Sequence, residues 1–125
     1  MHLRGYTTVV IEAATKQLRA RKLLDDETFA QNWVLFRLDR GYGPERIEQE
    51  LEAKGIDPLI IRQVIGKTFD LGVEEKKAKI VLEKRFKEQL LSDPKILRRA
   101  IAFLQRRGFT GHVVNRLLRN GVQED

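Results

Sequence analysis

The stretch RGYGPERIEQELEAKGIDPLIIRQVI, Arg40–Ile65, decides the fold. It holds two glycine corners, each followed by a helix start. At Lys54-Gly55-Ile56 the glycine follows a basic residue and precedes an apolar one. That is the pattern of a helix C-cap, where glycine takes left-handed backbone at least cost and the next apolar residue folds back onto the helix it leaves. Asp57-Pro58 then restarts a helix, with aspartate at the N-cap and proline in the first turn. Gly43-Pro44-Glu45 and Asp93-Pro94 do the same one helix earlier in their units.

Near-copies of the Gly55 corner flank it. RGYTTVVIEAATKQL begins at Arg4 and RGFTGHVVNRLL at Arg107, so the glycines fall at 5, 55 and 108. Arg4, Lys54 and Arg107 precede them, Tyr6, Ile56 and Phe109 follow, and Thr7, Asp57 and Thr110 open the next helix. Branched pairs stay in register: Val10-Ile11, Ile60-Ile61, Val113-Val114. A fixed spacing of roughly fifty residues marks stacked supersecondary units, each too small to bury a secure core alone.

No segment shows the alternation of a strand. The pattern predicts an all-α chain of tandem three-helix repeats in an elongated, curved array, with helices at about 7–20, 26–39, 44–54, 57–70, 74–91, 94–106 and 110–120. Asp25 or Asp26 caps the second of these. Residues 25–71 make one unit and residues 72–125 another. Residues 1–24 match only the last helix of such a unit, whose apolar edge (Val10, Ile11, Ala14, Leu18) covers the unit beside it.

The net charge of +6 is unevenly placed. Residues 1–24 carry five basic and one acidic side chain, residues 25–71 six and ten, and residues 72–125 thirteen and seven. An acidic middle between basic ends does not suit a uniform coat for DNA, but it fits a partner of mixed charge. Cysteine is absent, so disulfides and thiolate metal sites are excluded. No apolar run reaches the ~18 residues of a spanning helix, and no leader pattern opens the chain. The expected setting is the cytoplasm.

Catalysis is poorly equipped. Ser92, the single serine, stands beside Asp93 at a helix start and reads as a cap. His2 and His112 lack metal-ligand spacing, so no metal is expected. Gly66-Lys67-Thr68 imitates the end of a phosphate-binding loop, but Ile61 stands where that loop needs its first glycine. Gly41-Tyr42-Gly43 fails as a dinucleotide fingerprint because Arg46 takes the third glycine's place. Gly66 costs its helix ~1 kcal/mol relative to alanine, which points to close helix packing there. Phe29, Trp33, Phe36, Phe69, Phe86 and Phe103 fall at helical spacing and read as core, while Tyr6 and Tyr42 read as partly exposed caps on turns.

The basic residues are the binding candidates. EEKKAKIVLEKRFKE, Glu74–Glu88, sets Ala78, Leu82 and Phe86, with Leu90 beyond, on one stripe and Lys76, Lys77, Lys79, Lys84 and Lys87 around the rest. PKILRRAIAFLQRR, Pro94–Arg107, turns Leu97, Ala100, Ile101 and Leu104 inward and Lys95, Arg98 and Arg99 outward; Arg106, Arg107, Arg116 and Arg119 complete the set. Lysine faces are commonly just solvated, and Glu74, Glu75, Glu83 and Glu88 offset part of this one. Arginine's planar fork suits carboxylates and phosphates alike.

LLDDETFAQNWVLFRL from Leu23, RGYGPERIEQELEAKGID from Arg40 and AIAFLQRRGFTGHVVNRLL from Ala100 together resemble the RecX family, bacterial regulators of the recombinase RecA. The match runs from about Leu3 to Asn120. The resemblance implies tandem three-helix repeats that bind along the groove of the RecA–DNA filament. It also implies a regulator, not an enzyme, that restrains strand exchange, ATP hydrolysis and co-protease activity without cofactor or small-molecule substrate. Family members carry a complete first repeat, and this chain begins inside it, so Met1 is expected to be an internal start. The competing reading is a helix-turn-helix-like nucleic-acid binder, against which Asp57 and Asp70 in the third helix of the acidic unit speak.

Overall fold

A computed structural model describes residues 8–70, 72–87 and 93–119; of Arg119 only the backbone is described. The Gly5 corner with Tyr6 and His2, and the Leu90–Ser92 segment, lie outside the described residues. Among the described residues the chain is all-α. The helices are α1 (Thr8–Asp39), α2 (Pro44–Ala53), α3 (Pro58–Thr68), α4 (Val73–Phe86), α5 (Pro94–Arg106) and α6 (Gly111–Val114), the last running on as a π-helical turn, Asn115–Arg119.

Three helix ends close in the same way. Gly41, Gly55 and Gly108 all hold left-handed backbone, with φ of 90°, 81° and 92°. Each glycine N–H bonds the carbonyl three residues back, and the next residue's N–H bonds the carbonyl five back. At the second corner these are Gly55 to Glu52 (3.0 Å) and Ile56 to Leu51 (3.2 Å), and at the third Gly108 to Gln105 (3.0 Å) and Phe109 to Leu104 (3.1 Å). This is the Schellman arrangement, with Ile56 and Phe109 buried as the apolar residues that fold back. Helices restart on side-chain caps: Asp57 accepts from the Leu59 N–H at 2.8 Å and Asp93 from the Lys95 N–H at 2.9 Å.

Two cores result. Ala30, Val34, Ile47, Leu51, Ile56, Ile61 and Val64 fill the unit made by the C-terminal half of α1 with α2 and α3. Ala78, Leu82, Phe86, Ala100, Phe103, Leu104, Phe109, Val113 and Leu118 belong to the second, where Phe86 and Phe103 meet edge to face at 5.9 Å.

The structure corrects several sequence expectations. The separate helices at 7–20 and 26–39 are one 32-residue helix. No glycine or proline occurs between Thr8 and Arg40, so the capping preference of Asp25 and Asp26, worth ~1 kcal/mol, has no breaker to work with. The N-terminal half of α1 covers nothing: Val9, Leu18 and Leu24 are each more than half exposed. Phe29 and Phe36 are exposed as well, because Ala30 and Val34 hold the inward face of α1. Gly66 is not a close-packing site; a Cβ there would meet nothing within 4 Å.

The two units join corner to corner. The Gly43 N–H donates to Arg107 O at 2.7 Å, and the Glu45 N–H, an orphan donor of the first turn of α2, donates to Gly108 O at 2.9 Å. The backbones touch: a Cβ on Gly43 would lie 2.6 Å from the Gly108 carbonyl and the Phe109 nitrogen, and one on Gly108 would collide with Arg46. That contact explains why α2 restarts on Gly-Pro where α3 and α5 restart on Asp-Pro. Basic side chains brace the joint by reaching carbonyls at opposite helix ends, where the helix dipole is negative. Arg107 donates to Arg40 O (3.0 Å), Lys77 to Asp39 O (3.3 Å) and Arg46 to Arg106 O (3.3 Å).

Behind the joint, Glu50 is a hub. It accepts from Trp33 Nε1 at 3.0 Å, from Arg37 through both carboxylate oxygens at 3.0 and 2.7 Å, and from Arg46 at 3.3 Å. Burial alone pushes its pKa up. The bonds from Arg37 and Trp33, the Arg37 charge and the Arg46 bond outweigh that and hold the carboxyl below its usual value. Tyr42 lies under the guanidinium groups of Arg37 (3.8 Å), Arg107 (4.8 Å) and Arg46 (5.2 Å), which links the hub to the second unit.

These features carry two predictions. Gly43→Ala should cost about 1–3 kcal/mol by overpacking the joint and split thermal unfolding into two transitions, whereas Gly66→Ala should stabilise by ~1 kcal/mol; calorimetry reads both. Because the folded pKa of Glu50 is depressed, its contribution is present above the ordinary glutamate value and is lost as pH falls through the lower folded value. Glu50→Gln should cost ~2 kcal/mol at neutral pH and flatten the acid side of the stability profile in denaturant titrations.

Candidate nucleic-acid or acidic-partner interface

The cations of the second unit are arranged around a furrow. It opens at the joint as a cleft of about 260 Å³ lined by Asp39, Arg40, Gly41, Lys77, Ile80, Val81, Lys84, Arg85, Phe103 and Arg107. Arg85 and Phe103 also line the next cleft, of about 250 Å³, with Phe86, Arg99, Ala102 and Arg106. Arg99 and Ala102 carry it onward to Lys95 and Arg98. The three clefts share walls, so they form one path from the C-terminus of α1, between α4 and α5, to the start of α5.

Nine cationic residues line this path against one acid, Asp39. Among the described residues, none of Lys84, Arg85, Lys95, Arg98 or Arg99 is paired with a carboxylate; the ion pairs there are Arg37–Glu50, Arg46–Glu50 and Arg116–Glu75. Phe103 supplies an aromatic floor, with the Arg107 and Arg85 guanidiniums 5.2 and 5.9 Å from its centroid. Unpaired cations over an apolar floor suit an extended anionic chain, either a phosphate backbone or a run of carboxylates.

Of the twelve residues singled out from sequence, the furrow brings together Lys77, Lys84, Lys95, Arg98, Arg99, Arg106 and Arg107. Lys76 sits outside it, on an apolar cleft with Leu35, Leu38, Val73 and Ile80. Arg116 is engaged by Glu75 at 3.4 Å, an exposed pair worth 0–1 kcal/mol at most. Lys79 and Lys87 are exposed on α4 but line none of these clefts, and the Arg119 side chain lies outside the described residues. Sequence reasoning missed Arg40 and Arg85. Arg40 carries the signal noted at the repeat corners, a basic residue directly before a capping glycine, and Arg85 adjoins Lys84 in the same basic run.

His112 is exposed, and among the described residues no cluster of histidine or carboxylate side chains could hold a metal ion. Among them, too, no helix is long and apolar enough to cross a membrane.

Comparison with known proteins places the units. The family model for the RecX second three-helix domain matches residues 25–65, and that for the third three-helix domain matches residues 73–118. The chain is 36 % identical over 110 residues to a regulatory protein RecX of Mycobacterium leprae, covering 86 % of this chain and 64 % of that one. It is 38 % identical over 114 residues to that of Halorhodospira halophila, covering 90 % and 66 %. For that of Legionella pneumophila the figures are 31 % over 116 residues, 93 % and 76 %. The chain thus spans just under two thirds of the length of the first two relatives. No solved structure matches it. With both unit models matched in order and relatives of this identity across most of its length, the chain belongs to the RecX family of regulatory proteins.

Proposed function

We propose that this chain regulates RecA by binding the RecA–DNA filament in its groove, with the cationic furrow as the contact surface. Family membership supports the partner, and the observation that carries the site is the continuity of the furrow across the joint between units. On this reading the units at 25–71 and 72–125, preceded by the helix that ends the unit before, act as a ruler laid along the filament. They occlude its groove and bind one filament conformation better than another, which shifts the population toward a less active state. Strand exchange, ATP hydrolysis and co-protease activity fall together, because all three need the active filament. The protein works in the cytoplasm by contact, as a non-enzyme without cofactor or small-molecule substrate.

A second reading, direct nucleic-acid binding, is favoured by one feature: the aromatic floor at Phe103 among unpaired arginines, which suits a single strand. Co-sedimentation with RecA on single-stranded DNA, set against naked DNA, separates the two. The regulator should prefer the filament at physiological salt. A nucleic-acid binder should hold naked DNA with a salt slope near one unit per phosphate contacted.

Two double reversals test the furrow. Arg98→Glu with Arg99→Glu, and Lys84→Glu with Arg85→Glu, should each weaken filament binding at least tenfold while leaving the thermal transition in place, since all four side chains are exposed. Unchanged affinity in both would remove the furrow from the site.

A further inference from the structure

The internal joint is built once in this chain, and half of it is repeated without an occupant. Gly108 receives the start of α2, with Arg107 O and Gly108 O accepting two N–H donors from the neighbouring unit. Gly55 is the equivalent corner of the first unit, with the same left-handed glycine and the same pair of capping bonds. There a Cβ would meet nothing within 4 Å, and among the described residues no hydrogen bond reaches Lys54 O or Gly55 O.

A second observation lies beside that corner. Gly66 stands inside α3 at a cost of ~1 kcal/mol, with no neighbour in the chain that requires it. It lines a groove of about 460 Å³ between α2 and α3, walled by Glu48 and Glu52 with Ile61 and Ile65 at its base. A helix glycine that leaves a groove open, next to an unoccupied docking corner, is what close approach of another chain needs.

The charges select the occupant. In the internal joint the start of the second helix of one unit sits on the corner of the next. The same part of the second unit is the start of α5, from Asp93, whose exposed face carries Lys95, Arg98 and Arg99. We infer that a second copy of this chain docks the start of its α5 on the Gly55 corner, with its basic face against Glu48 and Glu52. The contact uses different surfaces on the two partners, so it propagates head to tail and does not close into a symmetric dimer.

Sedimentation velocity on the protein alone, without RecA or DNA, tests this. The wild-type weight-average mass should rise with concentration from the 14.5 kDa monomer to at least twice that value, and should fall back as salt is raised. Glu48→Lys with Glu52→Lys should remain monomeric, as should Lys95→Glu with Arg98→Glu. An equimolar mixture of these two variants should associate, because each supplies the surface the other has lost. Gly66→Gln, which fills the groove without adding charge or touching the core, should lower association at least tenfold. A wild-type monomer at every concentration, with or without binding of a basic peptide at the corner, overturns the inference. So does a mixture of the two charge variants that stays monomeric.

Discussion

The organisation of this protein depends on a backbone contact between two glycines. Gly43 and Gly108 bring two helix corners close enough for the carbonyls of one unit to take the amide protons of the other. No side chain could replace that contact, because any Cβ on either residue would occupy the same space. The bonds also satisfy a donor that the first turn of α2 cannot satisfy internally, so the joint and the helix start stabilise each other. Side chains then gather around the contact. Arg107, Lys77 and Arg46 each span it to a carbonyl, and Tyr42 accepts three guanidinium groups over its ring.

The joint also explains where the furrow lies. Packing the end of α1 against α4 and α5 brings Asp39 and Arg40 beside Lys77, Lys84 and Arg85, residues from different units. The cations that brace the joint, Arg107 and Lys77, form the inner wall, and those left without a carboxylate line the path outward. One arrangement therefore holds the units together and presents a charged surface across their boundary. In a chain of stacked repeats that is the natural place for a binding surface, since only there do neighbouring units contribute to one face.

Much of the fold was legible in the residues. Lys-Gly-Ile and Arg-Gly-Phe at helix ends, and Asp-Pro at helix starts, have mechanisms that act over a few residues, so α2, α3 and α5 fall within about one turn of their expected ends. The break inside α1 was misread for the same reason. An aspartate pair is a cap only where the chain stops being helical, and nothing between Thr8 and Arg40 stops it. Phe29 and Phe36 show a related limit: helical spacing tells which residues share a face, but the neighbours available decide whether that face is covered.

The local pattern by itself determined the helix ends, the repeat of its corners and the excess of cations in the second unit, because each follows from neighbours in the chain. The tertiary structure alone decided that Gly43 meets Gly108, that Arg40 and Arg85 join the cationic wall while Lys76 and Arg116 turn elsewhere, and that Gly55 and Gly66 stay open. Those facts depend on how one unit is rotated against the next. Such rotation is set by a backbone contact between residues 65 positions apart, which no local signal carries.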